Sequence, residues 1–348
     1  MKYIFYFFTL CLTVSASAQI GGRYAFDAIA LPTNARATAL GGSLITVIDS
    51  DVALAQLNPA VADSSMNNQL SFNHNFHFAG IQNGNVAFGK YLERLGMISH
   101  VAIQYINFGE FDGRDVLGNA TSNFSGGDVA IVLGTAKQLN ERIRAGINLK
   151  VLSGSYESYN HFGIGLDLGL HYDIPGSDAS WGLVLKNIGG EISPLVDERK
   201  PLPLDLQIGF SKRLKHLPFR FSIIGHHLQE PYIRFDDPET DITTSIFGEQ
   251  EFRSSFSKNI DNFFRHLIFS GEFLIGKNEN VRLRVGYDHF RNQELKTTTF
   301  RSLTGFSFGI GFNIKKIKID YGVSRYHLAG SVNHLSIRYD VGRIFKKI

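Results

Sequence analysis

From Gln69 onward the sequence repeatedly alternates apolar and polar residues with a period of two, which is typical of extended strands. In 143–151 the odd positions are Ile, Ala, Ile, Leu and Val, and the even positions are Arg, Gly, Asn and Lys. The same alternation occurs in 162–172, 281–287 and 317–323. Together with weaker candidates, these segments predict roughly fourteen strands. This part of the chain is therefore predicted to be all-β.

The charged residues of these segments fall on a single face of each strand. Arg144, Arg282, Arg284 and Arg338 all occupy the polar positions of the alternation. An Arg or Lys on the lipid face near the centre of a bilayer costs about 2–4 kcal/mol. We therefore expect the charged face to line an enclosed lumen and the apolar face to contact outer-membrane lipid. The alternative is a secreted soluble β-protein, which would have to bury all its apolar strand faces in one core.

The connections between the predicted strands alternate in length. Short turns fall near 92–96, 140–141, 175–179, 216–217, 277–280 and 315–316, and mostly longer loops lie between them, at 109–123, 189–203, 230–262 and 291–301. Short turns at one end and long loops at the other are typical of outer-membrane barrels, with both chain ends on the periplasmic, short-turn side. Residues 67–348 are thus predicted to form a roughly 14-stranded antiparallel transmembrane β-barrel of the bacterial outer membrane.

The first residues are typical of a secretory signal peptide over 1–18. Lys2 supplies a positive charge, an apolar run follows, and Ala16-Ser17-Ala18 offers a cleavage site. The one cysteine, Cys11, lies within this segment, so the mature chain is predicted to contain no disulfide or thiol chemistry. The net charge of +3 is too balanced to indicate a nucleic-acid binder.

Residues 19–66 differ from the rest because Ala and Leu recur there at helical spacing. Thr33 or Asn34 is expected to cap a short helix over 35–40, which two glycines end. A small, partly helical segment ahead of a barrel is predicted to form a plug in its lumen. The glycines on the polar strand faces would leave room for the backbone of this plug.

A second short helix is expected over 51–57. Asp49 or Ser50 would cap it, and Pro59 would stop it, because the residue before a proline is biased away from helical conformation. The carboxylates of Asp49 and Asp51 suit the start of a helix electrostatically.

The plug also carries a resemblance to a known family. The run Ala-Arg-Ala-Thr-Ala-Leu-Gly-Gly over 35–42, the later Asp-Val-Ala and the triplet Asn-Pro-Ala resemble the N-terminal motif of the PorV/PorQ family. These are outer-membrane barrels of the type IX secretion system, related to FadL-like barrels, and within the family the chain is most similar to PorQ. The motif residues are Arg36, Gly41, Gly42, Asp51, Asn58, Pro59 and Ala60. We expect Arg36, Asp51 and Asn58 to form polar contacts with lumen charges and to reverse the chain into the first strand.

The resemblance implies a non-enzymatic role without a cofactor. A PorQ-like barrel would anchor a PorZ-like surface protein of the type IX attachment complex, and this reading predicts a sealed lumen. A FadL-like transporter of hydrophobic small molecules is the alternative, and it predicts a continuous apolar pocket between plug and wall. A PorV-like shuttle that engages secreted cargo is a third hypothesis.

The longest predicted loop, 230–262, is the candidate site for a surface partner. It carries eight carboxylates against three cations, with aromatic residues between them. Exposed aromatic residues among charges are typical of docking surfaces. The candidate partner-binding residues are Tyr232, Phe235, Asp236, Asp237, Phe247 and Phe252. The alternative is a solvated loop that packs on itself over the barrel mouth.

Two patterns that suggest catalysis or metal binding are rejected. Ser255-Phe-Ser-Lys258 matches the S-x-x-K of β-lactamases, but no K-T-G follows and the serine is expected in a loop. In each of the pairs His74/His77 and His226/His227, one residue has an even number and the other an odd one. On a strand the two side chains of each pair are therefore expected to point to opposite faces. We therefore predict no catalytic, cofactor or metal site.

Overall fold

The computed structural model describes residues 22–195, 198–235, 242–244, 250–252, 254–277, 279–295, 303–327 and 330–343. The signal peptide predicted over 1–18 lies outside these residues. So do Asp236, Asp237 and Phe247 of the candidate partner loop, and the side chain of Phe252.

Fourteen strands form one closed antiparallel barrel, as predicted. In chain order the strands are β1 (Gln69–Phe76), β2 (Gln82–Leu92), β3 (Met97–Phe111), β4 (Phe124–Gln138), β5 (Ile143–Tyr156), β6 (Tyr159–Asp173), β7 (Ala179–Ser193), β8 (Asp205–Arg213), β9 (Phe219–Gly225), β10 (Ile242–Thr244), β11 (Gln250–Phe252), β12 (Leu267–Ile275), β13 (Val281–Asp288), β14 (Phe306–Ile314), β15 (Ile317–His327) and β16 (Gly330–Asp340). Strands β10 and β11 form a separate hairpin, so β9 pairs with β12 in the barrel. Pairing of β1 with β16, with Gln69 opposite Asp340, closes the sheet.

The two faces of the sheet are those predicted from the alternation. Leu149, Leu283 and Ile337 are exposed on the outside, whereas Arg284 and Arg338 are buried in the lumen. An apolar outer surface on a sheet without edges suits a protein that crosses a bilayer with strands. The chain is a multi-pass β-barrel of the bacterial outer membrane, as predicted.

The helices are short, and they lie in the plug or in the connections between strands. They are α1 (Ala35–Ala39), α2 (Ser255–Arg265) and α3 (His289–Glu294), with 3₁₀ turns at Asp27–Ala30, Val52–Gln56, Pro59–Val61, Ser64–Met66, Phe78–Gly80 and Val341–Arg343. In the described part of the chain, none of the helices combines the length and the apolar composition needed to cross a membrane.

The first helix of the plug forms as predicted, and the second does not. The Asn34 side chain accepts a hydrogen bond of 2.7 Å from the Ala37 N–H and caps α1. In the second segment Asp51 caps a 3₁₀ turn, in place of Asp49 or Ser50 capping an α-helix. The Asp49 carboxylate is bound to arginines instead, and a proline begins the next turn at Pro59.

The plug passes through the barrel from one end to the other. At the long-loop end Arg23 pairs with Glu230, and the Ala25 N–H donates a hydrogen bond of 2.9 Å to the Pro201 carbonyl. Strand β1 starts at the opposite, short-turn end. The prediction that both chain ends lie on the periplasmic side is therefore wrong for the N-terminal segment, whose first described residues lie at the outer mouth.

Glycines in the wall let the plug backbone approach closely, in agreement with the sequence analysis. A Cβ atom on Gly322 would lie 2.3 Å from the Ala35 carbonyl oxygen, and one on Gly286 would lie 2.3 Å from the Gly41 nitrogen. Because backbone atoms cannot move aside as side chains do, α1 is seated directly on β13–β15.

Candidate functional site

Arg36, in α1, binds the barrel wall in the half of the lumen nearer the short-turn end. Its guanidinium donates to both oxygens of Glu272 in β12, at 2.9 and 2.8 Å, in the bidentate geometry that suits a carboxylate. Its third contact is with Asp49 of the plug, at 2.9 Å. Arg36 and Glu272 are both fully buried, so their charges are compensated almost entirely by each other and by their neighbours.

Glu272 and the neighbouring carboxylates also bind other cations, and these contacts extend the cluster along the wall. Glu272 also accepts from Arg220 at 3.1 Å and from Arg284 at 2.9 Å. Asp49 binds Arg282 at 2.9 Å. Asp51, the third plug residue in this cluster, binds Arg338 of β16 at 3.1 Å, and Asp320 of β15 bridges Arg284 and Arg338. We call these side chains the plug–wall ion network.

The pKa values of the plug residues follow from this network. Burial raises the pKa of Asp49, but Arg36, Arg282 and Lys318 outweigh it and hold the pKa well below its usual range. Burial lowers the pKa of Arg36, whereas Glu272 and Asp49 raise it well above its usual range. The plug therefore presents permanently charged groups to the wall.

The Asn-Pro-Ala triplet lies where the plug meets β5 and β6. Asn58 donates a hydrogen bond of 2.8 Å to the Ile45 carbonyl and accepts one of 3.0 Å from the Ala60 N–H. Pro59 and Ala60 are buried, and a Cβ on Gly146 would lie 2.5 Å from the Pro59 carbonyl carbon. Asn58 thus holds two turns of the plug together, rather than contacting a charge of the lumen.

A cavity of about 480 Å³ lies at the outer mouth, between the start of the plug and the wall formed by β3–β7. Most of its lining is apolar, including Phe26, Leu31, Ile81, Ile106, Phe108 and Leu195. Residues 24–28 and 31 form its plug side, so the N-terminal segment separates it from the lumen centre. We call this space the mouth cavity.

One polar cluster borders the mouth cavity. His161 faces carboxylates with both ring nitrogens: Nδ1 lies 3.0 Å from Glu191 and Nε2 lies 3.3 Å from Asp128. Tyr156 donates to the same Asp128 at 2.9 Å. The ring of Phe26 stacks on His161, with a centroid separation of 3.9 Å and an interplanar angle of 1°. Since Phe26 belongs to the plug, this stack fixes the plug at the cavity.

Two further cavities lie elsewhere in the lumen. One of about 370 Å³ lies at the outer end on the other side of the plug and includes Ala30, Gly42 and Lys186. A more polar cavity of about 480 Å³ lies at the short-turn end, beside Thr46 and Arg220. Between the ends, Leu44, Ile45 and Leu54 are completely buried. The plug thus separates the mouth cavity from the short-turn end.

The FadL-like alternative predicts an apolar pocket between plug and wall, but sequence reasoning did not identify the residues that line the mouth cavity. Its lining comes from the N-terminal segment, five strands and two loops, so no local motif marks it. The only local signal is the aromatic pair Tyr24 and Phe26 at the start of the plug, and Phe26 has a left-handed backbone with φ of 52°.

Of the candidate partner residues, two have described side chains. Tyr232 and Phe235 are 46% and 73% exposed at the outer end of the barrel. They lie in the stretch that leads away from β9.

Of the two histidine pairs, one has the expected orientation in the structure and the other does not. His74 binds the Tyr105 hydroxyl on the outer face, and His77 binds Asn83 on the lumen side. His226 and His227 do not point apart, because β9 ends at Gly225 and the alternation ends with it; their Nδ1 atoms lie 2.5 Å apart. Among the described residues no three metal-ligating side chains form a group.

The expected position of Ser255 is also corrected. It begins α2, with Ser254 as the capping residue, and does not lie in a loop. The sequence still has no K-T-G triplet for an S-x-x-K enzyme.

Comparisons with known proteins support the fold. No family model and no curated protein matches the sequence. The toluene transporter TodX of Pseudomonas putida is similar in structure, with 12% sequence identity and a TM-score of 0.53 over 88% of this chain and 96% of that chain. The monoaromatic hydrocarbon channel CymD is also similar, with 15% identity and a TM-score of 0.51 over 89% and 96%. At these identities the likeness shows the fold alone: a FadL-like outer-membrane barrel of fourteen strands.

Proposed function

We propose that this protein is a non-enzymatic outer-membrane transporter of hydrophobic small molecules, gated by its N-terminal plug. The observation that carries the proposal is the apolar mouth cavity between plug and wall. Its volume of about 480 Å³ lies in the range of small-molecule sites and exceeds the ~150 Å³ that holds benzene in an engineered cavity. TodX and CymD, which are described as handling toluene and monoaromatic hydrocarbons, make a neutral aromatic hydrocarbon the first substrate class to test.

The geometry corresponds to a closed state. A ligand in the mouth cavity contacts Phe26 and Leu31 of the plug, and the buried plug residues lie between it and the short-turn end. Inward passage therefore requires the plug to shift away from the wall. The contacts that would have to break first are the Phe26–His161 stack and the Ala25–Pro201 hydrogen bond.

The test is uptake of radiolabelled toluene by cells that lack the protein and by cells that carry it again. In the variant Ala28→Trp, an indole fills the mouth cavity that Ala28 lines, and we expect uptake to fall to the level of the deletion strain. Ala30→Trp is the matched control, because Ala30 belongs to the same 3₁₀ turn but lines a different cavity. Equal uptake with and without the protein, for toluene and for a long-chain fatty acid, would refute the proposal.

A PorQ-like anchor is the second candidate function. The resemblance of the plug motif to the PorV/PorQ family supports it, and so do the exposed aromatic rings of Tyr232 and Phe235 at the outer end. In this proposal the loop holds a PorZ-like surface protein of the type IX attachment complex.

The anchor is tested by co-purification from detergent-solubilised outer membranes. The double variant Tyr232→Ala/Phe235→Ala is expected to lose a surface protein that the native chain retains. The matched control is Val116→Ala/Leu117→Ala, which alters two apolar residues that are even more exposed, in another outer loop. Loss of a partner with unchanged toluene uptake would support the anchor, and an absence of any surface partner would reject it.

A further inference from the structure

Helix α2, at the outer end of the barrel, carries its apolar side chains outward. Phe256, Ile260, Phe263 and Phe264 recur at helical spacing and therefore share one face. Their side chains are 75%, 42%, 60% and 41% exposed. In a helix of a soluble domain this face would be turned toward the core.

The polar face of α2 is the one that packs on the protein. Asn262 accepts a hydrogen bond of 2.9 Å from the Ile233 N–H and donates one of 2.9 Å to the Pro231 carbonyl. Asp261 binds Arg234 at 3.3 Å and His289 at 3.2 Å. These contacts fix the rotation of the helix about its axis, so the outward direction of the phenylalanines is built into the fold.

The apolar face of α2 is continuous with the lipid-facing surface of the barrel. The ring of Phe264 lies 6.1 Å from that of His289, which in turn lies 5.9 Å from Tyr287. Tyr287 packs at 4.7 Å against Phe306, and these two residues end the outer, apolar faces of β13 and β14. A chain of ring contacts thus runs from the helix to the surface that contacts the membrane.

We propose that α2 lies on the outer leaflet of the membrane, with Phe256, Ile260, Phe263 and Phe264 inserted at the boundary between headgroups and acyl chains. Amphipathic helices bind bilayers in this orientation, parallel to the surface. The other exposed residues of the helix are Ser255, Ser257 and Asn259, which are short, polar and uncharged, and Lys258 is half-buried. The occupant of this face is therefore lipid, and the helix fixes the height of the outer loops above the bilayer.

The experiment uses single cysteines, since the only natural cysteine lies in the segment predicted to be removed. Phe256→Cys and Phe263→Cys are labelled with a fluorophore and the full-length protein is reconstituted into phosphatidylethanolamine and phosphatidylglycerol vesicles. A fraction of the lipid carries a nitroxide quencher near the headgroup. Leu283→Cys, on the outer face of β13, is the positive control, and Leu117→Cys, in an outer loop, is the negative control. Heat-modifiable migration in gels confirms that each variant is folded.

We expect nitroxide lipid to quench labels at 256 and 263 nearly as strongly as the label at 283, with no loss of fluorescence at 117. Quenching of the helix labels as weak as at 117 would overturn the proposal. Weak quenching by lipid combined with protection from aqueous iodide would overturn it as well, because a second copy of the chain or another protein would then cover the face.

Discussion

At the scale of single residues, the position of the plug depends on Arg36 and the carboxylates around it. Two plug carboxylates and one plug arginine meet oppositely charged wall groups at 2.8–3.1 Å, inside a largely buried cluster. Buried ion pairs add little net stability compared with apolar packing, because both charges lose their hydration. Their effect is to specify one position, since any displacement would leave several charges buried and unpaired.

Glu272→Gln is expected to destabilise the protein by about 3–5 kcal/mol, the usual cost of breaking a buried charge pair from one side. The substitution leaves the guanidinium groups of Arg36, Arg220 and Arg284 without their shared carboxylate. The measurement is the urea dependence of the folded, heat-modifiable form. Glu230→Gln is the control and should cost about 1 kcal/mol or less, since its partner Arg23 is 64% exposed. Equal effects of the two variants would contradict this account.

The stabilising effect of Asp49 is expected to be independent of pH from 7 to 5. Its pKa in the folded protein lies below the ordinary value of 3.8, so the folded state binds its proton more weakly than the unfolded chain does. The stabilisation is therefore complete above about pH 4 and is lost as the pH falls through the lowered pKa. The measurement is the difference in unfolding free energy between the native chain and Asp49→Asn from pH 7 down to pH 2. A difference that stays constant or grows as the pH falls below 4 would show that the pKa is not lowered.

At the scale of elements, α1 and strands β13–β15 form one packed unit. The helix is only five residues long and would not persist alone in water. It is stable here because Asn34 caps it and because wall glycines let its backbone lie against the sheet. Sequence features in two distant parts of the chain, an Ala-rich run and glycines on strand faces, therefore depend on each other.

Gly322→Ala is expected to lower stability by about 1–3 kcal/mol, the usual cost of overpacking. The new methyl group would meet the Ala35 carbonyl oxygen at 2.3 Å, and the backbone there has no room to move. Gly225→Ala is the control, because its Cβ would meet only side-chain atoms at 3.5 Å. Both variants are compared by their thermal midpoints and by their ion conductance in planar bilayers. If Gly322→Ala matches the control in both, α1 is not held by this contact.

The elements that sequence predicted are those governed by local periodicity. Alternation, together with weaker candidates, predicted fourteen strands and the lipid faces of the clearly alternating ones, and Asn34 was among the expected caps of α1. What depends on distant contacts could not be read from the chain. The role of Asp49 depends on Arg282, more than two hundred residues away, and the mouth cavity combines segments from Tyr24 to Lys200. The outward face of α2 has the same spacing as a core-facing one, and only the surroundings distinguish them.

At the scale of the whole molecule, the plug complements the charge of one side of the barrel. Around Arg36 the wall contributes five cations and two carboxylates to the cluster: Arg220, Arg282, Arg284, Lys318, Arg338, Glu272 and Asp320. Elsewhere in the wall, Lys150 pairs with Asp167 at 2.9 Å within the sheet itself. The wall cluster without the plug therefore carries an excess of three positive charges.

Deleting residues 22–66 is expected to give an open pore that prefers anions. The reason is that the plug carboxylates leave with the plug while the wall arginines remain in the lumen. The measurement is the reversal potential of single channels in a KCl gradient. Adding Arg284→Gln and Arg338→Gln to the deletion should reduce the preference for chloride, whereas a cation-selective pore in the simple deletion would contradict the charge distribution.

The direction of the plug has a consequence for how the protein is assembled. The polypeptide reaches the outer membrane from the periplasm, yet residue 22 lies at the opposite mouth, and Arg36 and Phe26 fit tightly inside. A barrel that had already closed would leave no room for these side chains to enter. The seam between β1 and β16 joins the first and last strands and can close only once the strands between them have come together. The N-terminal segment is thus enclosed while the strands gather around it, and completing the seam is the step that locks it in.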